Sequence, residues 1–390
     1  MTLRPIASEA ARKHLRLSMC PEVGPIRFAN LLRELGGIDA VLGASVQKLQ
    51  SVSKVGPKVA QGIASLRDRV DVDAEVLLAE RHNVRIVCLE DDDYPLPLRR
   101  IYDPPICLYV KGTLDRRDAI AFGIVGSRAC SRYGAEQAER FGALAAGAGM
   151  TVVSGMARGV DFHAHSGALA AGGRTLAVLG CGLCHVYPPD SVELAQRIVE
   201  SGAMISELPM SVAPDAKNFP PRNRIIAGLS MGVLVVEAAR RSGALITARL
   251  ATEYDREVFA LSGRVDTPQA EGCLELVKKG EAKLITQFGD VLEELGAVGA
   301  SLREAASPQL AQTLFDNGHE MSPSPAGVLQ LDEAEQAVLN CLNQESMGIE
   351  KICEWSGMIP SRVAVALTGL QLKGAVRRLP SEHFNATGKV

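Results

Sequence analysis

AIAFGIVGSRACSRYGAEQAERFGALAAGAGMTVVSG, residues 119–155, decides the fold. Its two ends, AIAFGIVG and TVVSG, are apolar at almost every position, as strands buried on both faces must be. Between them, Gly134 to Ala148 carries apolar residues at helical spacing. The alternation continues through TLAVLG, AMISEL, GVLVVEA and EVFALSG. This pattern predicts an α/β domain, a Rossmann-like, doubly wound, mostly parallel sheet covered by helices on both faces.

Working outward, two shorter strand-like runs, VRIVCLE and CLYVKG, precede this region and are separated by the proline-rich DDDYPLPLRRIYDPP. The extended Rossmann-like domain is therefore placed at 81–298. Before it, residues 1–80 read as helical, interrupted by Val23-Gly24-Pro25 and Val55-Gly56-Pro57. Such a pair fits either a SAM or helix-hairpin-helix module with N–H groups open to phosphate, or plain tight turns of a small bundle. After it, 299–329 reads as linker, with Ser322-Pro323-Ser324-Pro325 at its heart. The remainder, 330–390, shows helices at Leu331–Leu342, Ile349–Ser356 and Pro360–Leu372 and a strand at Ala375–Leu379. That order suggests a winged helix; with only Arg362 and Lys373 as basic groups near its third helix, a protein contact is favoured over duplex DNA.

The chain has 390 residues, 47% hydrophobic and 22% charged, with a formal net charge of -3, which fits two or three globular domains and no general basic character. No export signal and no membrane-spanning run is visible, so a cytoplasmic location is expected. Nine scattered cysteines fit reduced thiols. Cys181-Gly182-Leu183-Cys184-His185 matches a haem-attachment pattern by coincidence, since that chemistry needs export, and further zinc ligands at suitable spacing are not evident.

Ligands of open α/β sheets bind at the carboxyl ends of the strands, so the turns there carry the functional signal. Gly126-Ser127-Arg128 offers small residues for close anion approach and a guanidinium to add charge. It lacks the G-x-G-x-x-G spacing, and the second strand ends in Ser154-Gly155 without an acid for a ribose hydroxyl, so no nicotinamide or flavin cofactor is expected. Ser154, Gly155, Arg158 and Gly159 make a second anion-ready turn, with Asp161 as an expected helix cap. His163 and His165, two residues apart, face different sides of a helix and make a metal pair improbable. Tyr187-Pro188-Pro189 frames the cleft, and Ser242, Gly243 and Thr247 form a third anion-ready turn at a helix start.

KNFPPRNRIIAGLS, Lys217 to Ser230, adds an aromatic face at Phe219, two prolines that fix the backbone, and guanidinium groups at Arg222 and Arg224. It reads as a rigid loop. From Lys217 to Arg256 seven cations stand against three carboxylates, an excess of four in a chain that is negative overall. Glu237 has no serine, cysteine or histidine arranged with it as a catalytic set and is expected to orient an arginine.

Taken together, YPLPLRRIYDPPICLYVKG (Tyr94 to Gly112), GSR, SGMARGVDFHAHSGAL, AVLG, YPP, SELP, FPPRNRIIAGLS, VVEAARRSGALITA and LSGR closely resemble, in order, the DNA-processing protein A (DprA/Smf) family. The resemblance runs to about Ile285 and implies a non-catalytic protein. Such a protein binds single-stranded DNA, in natural transformation and recombination, and delivers it to the RecA recombinase. A homodimer through the Rossmann-like domain is also implied. By matching position, Ser127, Arg128, the loop Ser154 to Gly159, Lys217, Phe219, Arg222, Asn223 and Arg224 would line the DNA pocket, Asn223 either touching DNA or holding the loop. Cys273 stands where the family usually has asparagine. Two other readings are a Rossmann-like nucleotide hydrolase of the phosphoribohydrolase type, whose Gly-Gly-Gly-Thr-Glu motif is absent, and a protein-interaction scaffold.

Overall fold

The computed structural model describes residues 5–305 and, beyond them, 333–342, 347–360, 362–363, 366–367, 370, 375–378 and 384–386. These fall into two compact units divided between residues 317 and 318.

The first unit is built on a nine-stranded sheet. Its strands are β1 (Val84–Cys88), β2 (Cys107–Gly112), β3 (Ala121–Val125), β4 (Thr151–Ser154), β5 (Thr175–Val178), β6 (Ala203–Ser206), β7 (Gly232–Val235), β8 (Glu257–Leu261) and β9 (Lys283–Ile285). Their spatial order is β1-β2-β6-β5-β4-β3-β7-β8-β9. From β6 to β9 every pairing is parallel, while β2 runs antiparallel to both β1 and β6. This is the expected mostly parallel α/β sheet. β9 was not expected; it has three residues, two of them exposed, too short for a periodic signal.

The chain steps outward from β3 through β4 and β5 to β6, then returns to the other side of β3 to lay down β7. Helices leaving β3 and β7 diverge to opposite faces there, and the crevice they leave is the standard ligand position of such sheets.

Helices α1 (Glu9–Ser18), α2 (Pro25–Leu35), α3 (Ile38–Gly43), α4 (Val46–Gln50), α5 (Pro57–Leu66) and α6 (Val72–Arg81) precede the sheet. Pro25 and Pro57 open α2 and α5, each behind a glycine N-cap, because proline's fixed φ suits the first helical turn and its missing N–H would find no helical partner. These helices share one apolar core with the β1-β2-β6 side of the sheet, in which Leu15, Phe28 and Ile63 join Ile86, Tyr109 and Met204. Met210 N–H donates to the buried Glu75 carboxylate at 2.7 Å across the same contact.

After α7 (Leu96–Arg99) come α8 (Arg132–Gly147), α9 (Val160–Ala170), α10 (Val192–Ser201), α11 (Phe219–Leu229), α12 (Ala244–Glu253), α13 (Glu271–Lys278), α14 (Phe288–Glu294) and α15 (Gly296–Ala305). α8 and α9 pack so closely that Gly142 and Gly167 have no room for a Cβ, which would lie 2.4 Å and 2.0 Å from facing backbone oxygens. Behind them Phe122, Phe141 and Phe288 interlock edge to face, each fully buried and contributing roughly 1.5–3 kcal/mol. α15 occupies the start of the expected linker, whose residues from 306 onward lie outside those described.

In the second unit, helices Glu333–Leu342 and Ile349–Ser356 and an antiparallel strand pair, Val376–Arg378 with Phe384–Ala386, enclose a small core around Val338, Ile352 and Leu370. The third helix expected at Pro360–Leu372 is described only in part.

Candidate nucleic-acid interface

β3 delivers Gly126-Ser127-Arg128 to the crevice. A Cβ on Gly126 would sit 2.6 Å from Val160 Cγ2 and 2.9 Å from Glu237 O, so only glycine lets this turn close against β7 and α9. Ser127 N–H donates to Glu237 O at 2.7 Å, fixing the turn, and Arg128 projects into solvent. The Glu237 side chain does not orient an arginine as expected. Its carboxylate accepts from Ser131 N–H at 2.8 Å and from Ser131 Oγ at 2.5 Å, while the same Oγ caps α8 at Gly134 N–H. The signal for this lay in Ser131 itself, a good N-cap one short turn after the strand.

The β4 turn serves from behind. Ser154 Oγ is buried and donates to Ile124 O at 2.6 Å. Gly155 O accepts from Arg222, and a Cβ at Gly155 would lie 2.5 Å from that guanidinium. Gly159 adopts φ 78° with no space beside Ser127 O. Arg158 is turned outward and paired with Asp190 at 3.0 Å. Asp161 is not the helix cap, a position held by Gly159; it is buried, accepts from Ala157 N–H at 3.3 Å and faces Arg222. Burial raises its carboxyl pKa, and the Arg222 charge opposes that rise.

The expected rigid loop around Phe219 is the start of helix α11. Phe219, Pro220 and Pro221 form its first turn, where prolines interrupt no hydrogen bond, so the double proline starts a helix instead of excluding one. Helical geometry then separates residues two apart by about 200°. Arg222 points under the crevice, where Nη1 donates to Gly155 O at 2.9 Å and to Val178 O, and burial lowers its pKa to about 10 against the pull of Asp161. Arg224 points to the far side, where it donates to Asp103 O at 2.7 Å and pairs with Glu207. It is 7% exposed and does not reach the cavity. Lys217 is exposed on the short turn before α11, paired with Asp215 at 3.1 Å.

The β7 turn closes the site. Gly243 is the N-cap of α12, Ser242 Oγ accepts from Ala244 N–H at 3.3 Å, and Thr247 is buried on the first turn. Asn223 Nδ2 donates to Gly243 O at 3.2 Å, so this side chain supports the turn and also lines the space.

Between these turns lies a cavity of about 510 Å³. Of the expected site residues it brings together Ser127, Arg128, Phe219 and Arg222 on one side, and Asn223, Ser242, Gly243 and Thr247 on the other. Ser154, Gly155, Gly159, Arg158, Lys217 and Arg224 do not line it, because they are buried behind the wall, turned outward or paired elsewhere. Arg241, Ile246 and Asp161 line it without having been singled out for the site. Gly180 was also missed: a Cβ there would strike the Phe219 ring at 2.8 Å, and the glycine ending AVLG was its only mark in the sequence.

At the mouth, the Arg128 guanidinium lies 5.0 Å from the Phe219 ring centroid and that of Arg222 lies 5.9 Å from it. The positive dipole end of α12 forms the opposite wall, its first N–H groups held by Ser242 Oγ, Ser242 O and Gly243 O. The site thus combines an aromatic face with buried and exposed positive charge, which suits a phosphate and a base together.

A Rossmann-like sheet carrying such a cavity at its switch point defines a doubly wound α/β protein with a ligand-sized crevice at the position where such sheets bind. The family model described as DNA recombination-mediator protein A matches residues 85–296, and that of the DprA winged helix domain matches residues 322–382. The chain belongs to the DNA recombination-mediator protein A (DprA/Smf) family. It is 32% identical over 387 residues to Protein Smf of Synechocystis sp., covering 95% of this chain and 97% of that one. It is 44% identical over 204 residues to DNA processing protein DprA of Streptococcus pneumoniae, covering 52% of this chain and 72% of the relative. The X-ray structure of the S. pneumoniae protein superposes with a TM-score of 0.63 at 35% identity, covering 72% of this chain and 95% of that one. Among the described residues no helix is long and apolar enough to cross a membrane.

Proposed function

We propose that the cavity grips single-stranded DNA with little sequence preference and that the protein delivers the strand to a RecA recombinase, acting by binding and not by turnover. One observation carries this reading: Arg128 rests on Phe219 at the mouth of a cavity whose opposite wall is the N-terminus of α12. A phosphate attracted to the positive end of the α12 dipole draws Arg128 off the ring, and the ring so uncovered accepts a base. Every base has a π-face, so stacking tolerates all four. In a duplex the bases are paired and stacked internally, and none is free to enter. Delivery to RecA and a homodimer through the Rossmann-like domain rest on the family resemblance, and a cytoplasmic location goes with the proposed delivery.

The test is a mobility shift of oligo-dT against a duplex of equal length at two salt concentrations, run beside a nucleotide turnover assay. Preference for the single strand, weakened by salt, supports the proposal. Equal affinity for the duplex, or steady nucleotide hydrolysis, overturns it.

A further inference from the structure

Phe219 is held on several sides. Besides the two guanidinium groups, the Tyr187 ring packs against it with centroids 5.5 Å apart and planes tilted by 37°. Gly180 closes from beneath. Tyr187 does not line the cavity; it stands on the rim beyond β5 with 37% of its surface exposed. Its position is well fixed. Pro188 and Pro189 follow it directly and lead into the short helical turn Pro189–Ser191. The residue is thus packed on Phe219 and still partly open to solvent beside the grip.

The sheet shows where that surface leads. β5, whose following loop carries Tyr187, lies two strands from β3, about 10 Å across the sheet at about 4.8 Å per strand, with the β4 turn between them. Arg158 projects from that turn, exposed and paired with Asp190, the third residue after Tyr187. A phosphate passing there can exchange with Asp190 for the same guanidinium.

We propose that Tyr187 is a second base-stacking platform, receiving the base next to the one held at Phe219, so that the strand leaves the cavity across the carboxyl ends of β4 and β5. This rests on the single-strand reading of the cavity and extends it to a residue outside. Stacking contributes through the ring and not through charge, so the signature is loss of affinity at constant salt slope.

The chain has one tryptophan, Trp355, in the second compact unit, which permits a clean reporter. In full-length W355F/Y187W protein, titration with oligo-dT should quench the indole fluorescence with the midpoint seen by mobility shift. Tyr187→Leu should weaken oligo-dT binding by about 5- to 150-fold with unchanged salt dependence, and Tyr187→Phe should leave it unchanged. An indole that keeps its emission at saturating oligo-dT, in a protein that shifts the oligonucleotide, overturns the Tyr187 assignment alone. Wild-type protein that fails to shift oligo-dT removes the single-strand reading and this assignment with it.

Discussion

On the cavity face of α11, Arg222 lies beneath Phe219 and beside Asp161; on the opposite face, Arg224 is tied to Asp103 and Glu207. The two side chains are chemically identical and almost equally buried. One lines a space that a ligand can enter, with a buried carboxylate beside it, and the other is paired wholly away from that space. Positive charge counted along a sequence is therefore not positive charge available to a partner; the count becomes useful only after each cation's carboxylates are known. By this measure Arg158 and Lys217, exposed but paired, stand between Arg128 and Arg224.

The largest expected effect lies on the far face. Arg224→Ala leaves Glu207, whose pKa is already raised by burial, without its partner, and should cost about 3–5 kcal/mol in urea unfolding while oligo-dT affinity of the folded protein stays unchanged. Lost affinity with intact stability would erase the distinction between the two faces. On the cavity face, Arg128→Ala should cost about 1.5–3 kcal/mol of binding and reduce the salt slope by about one, as read from titrations at several salt concentrations. Phe219→Ala should cost about 1–3 kcal/mol and leave the salt slope alone; a changed slope would mean that the ring acts chiefly by holding Arg128.

The smallest effect is felt behind the cavity. His165 is buried against Thr175, and burial, assisted by the Arg222 charge, lowers its pKa from 6.5 to about 3. The folded protein keeps it neutral while the unfolded chain takes up a proton. Its contribution is therefore complete above about pH 6.5 and is lost as pH falls toward 3, at up to about 1.4 kcal/mol per pH unit. Urea midpoints at pH 6.5 and 5.5 should diverge less in His165→Asn than in the wild type; equal acid sensitivity would show that the ring is protonated in the fold.

Much of this was legible from periodicity. The eight longer strands of the sheet and the turn glycines stand out because strands covered on both faces are apolar almost throughout and the turns of the parallel ones must be small. α11 was not legible as a helix, because Pro220 and Pro221 look like breakers until one knows that they occupy its first turn. Once it was read as a loop, nothing separated Arg222 from Arg224. Asp161 and Glu237 were misassigned for a related reason. Their partners, Arg222 and Ser131, lie 61 and 106 positions away, and no local pattern records such a distance.

The core shared by α1–α6 and the sheet bears on how the protein can be divided. A break between Arg81 and Val84 looks inviting, since a helical segment ends there and a strand begins. Cutting there would strip the cover from Ile86, Tyr109, Leu179 and Met210, and would remove the carboxylate that Met210 N–H requires. The shortened protein would present a greasy flank to its neighbours, and its expected fate at working concentrations is self-association. A soluble minimal fragment of this chain is thus better sought by trimming after α15 than by removing the helices at the front.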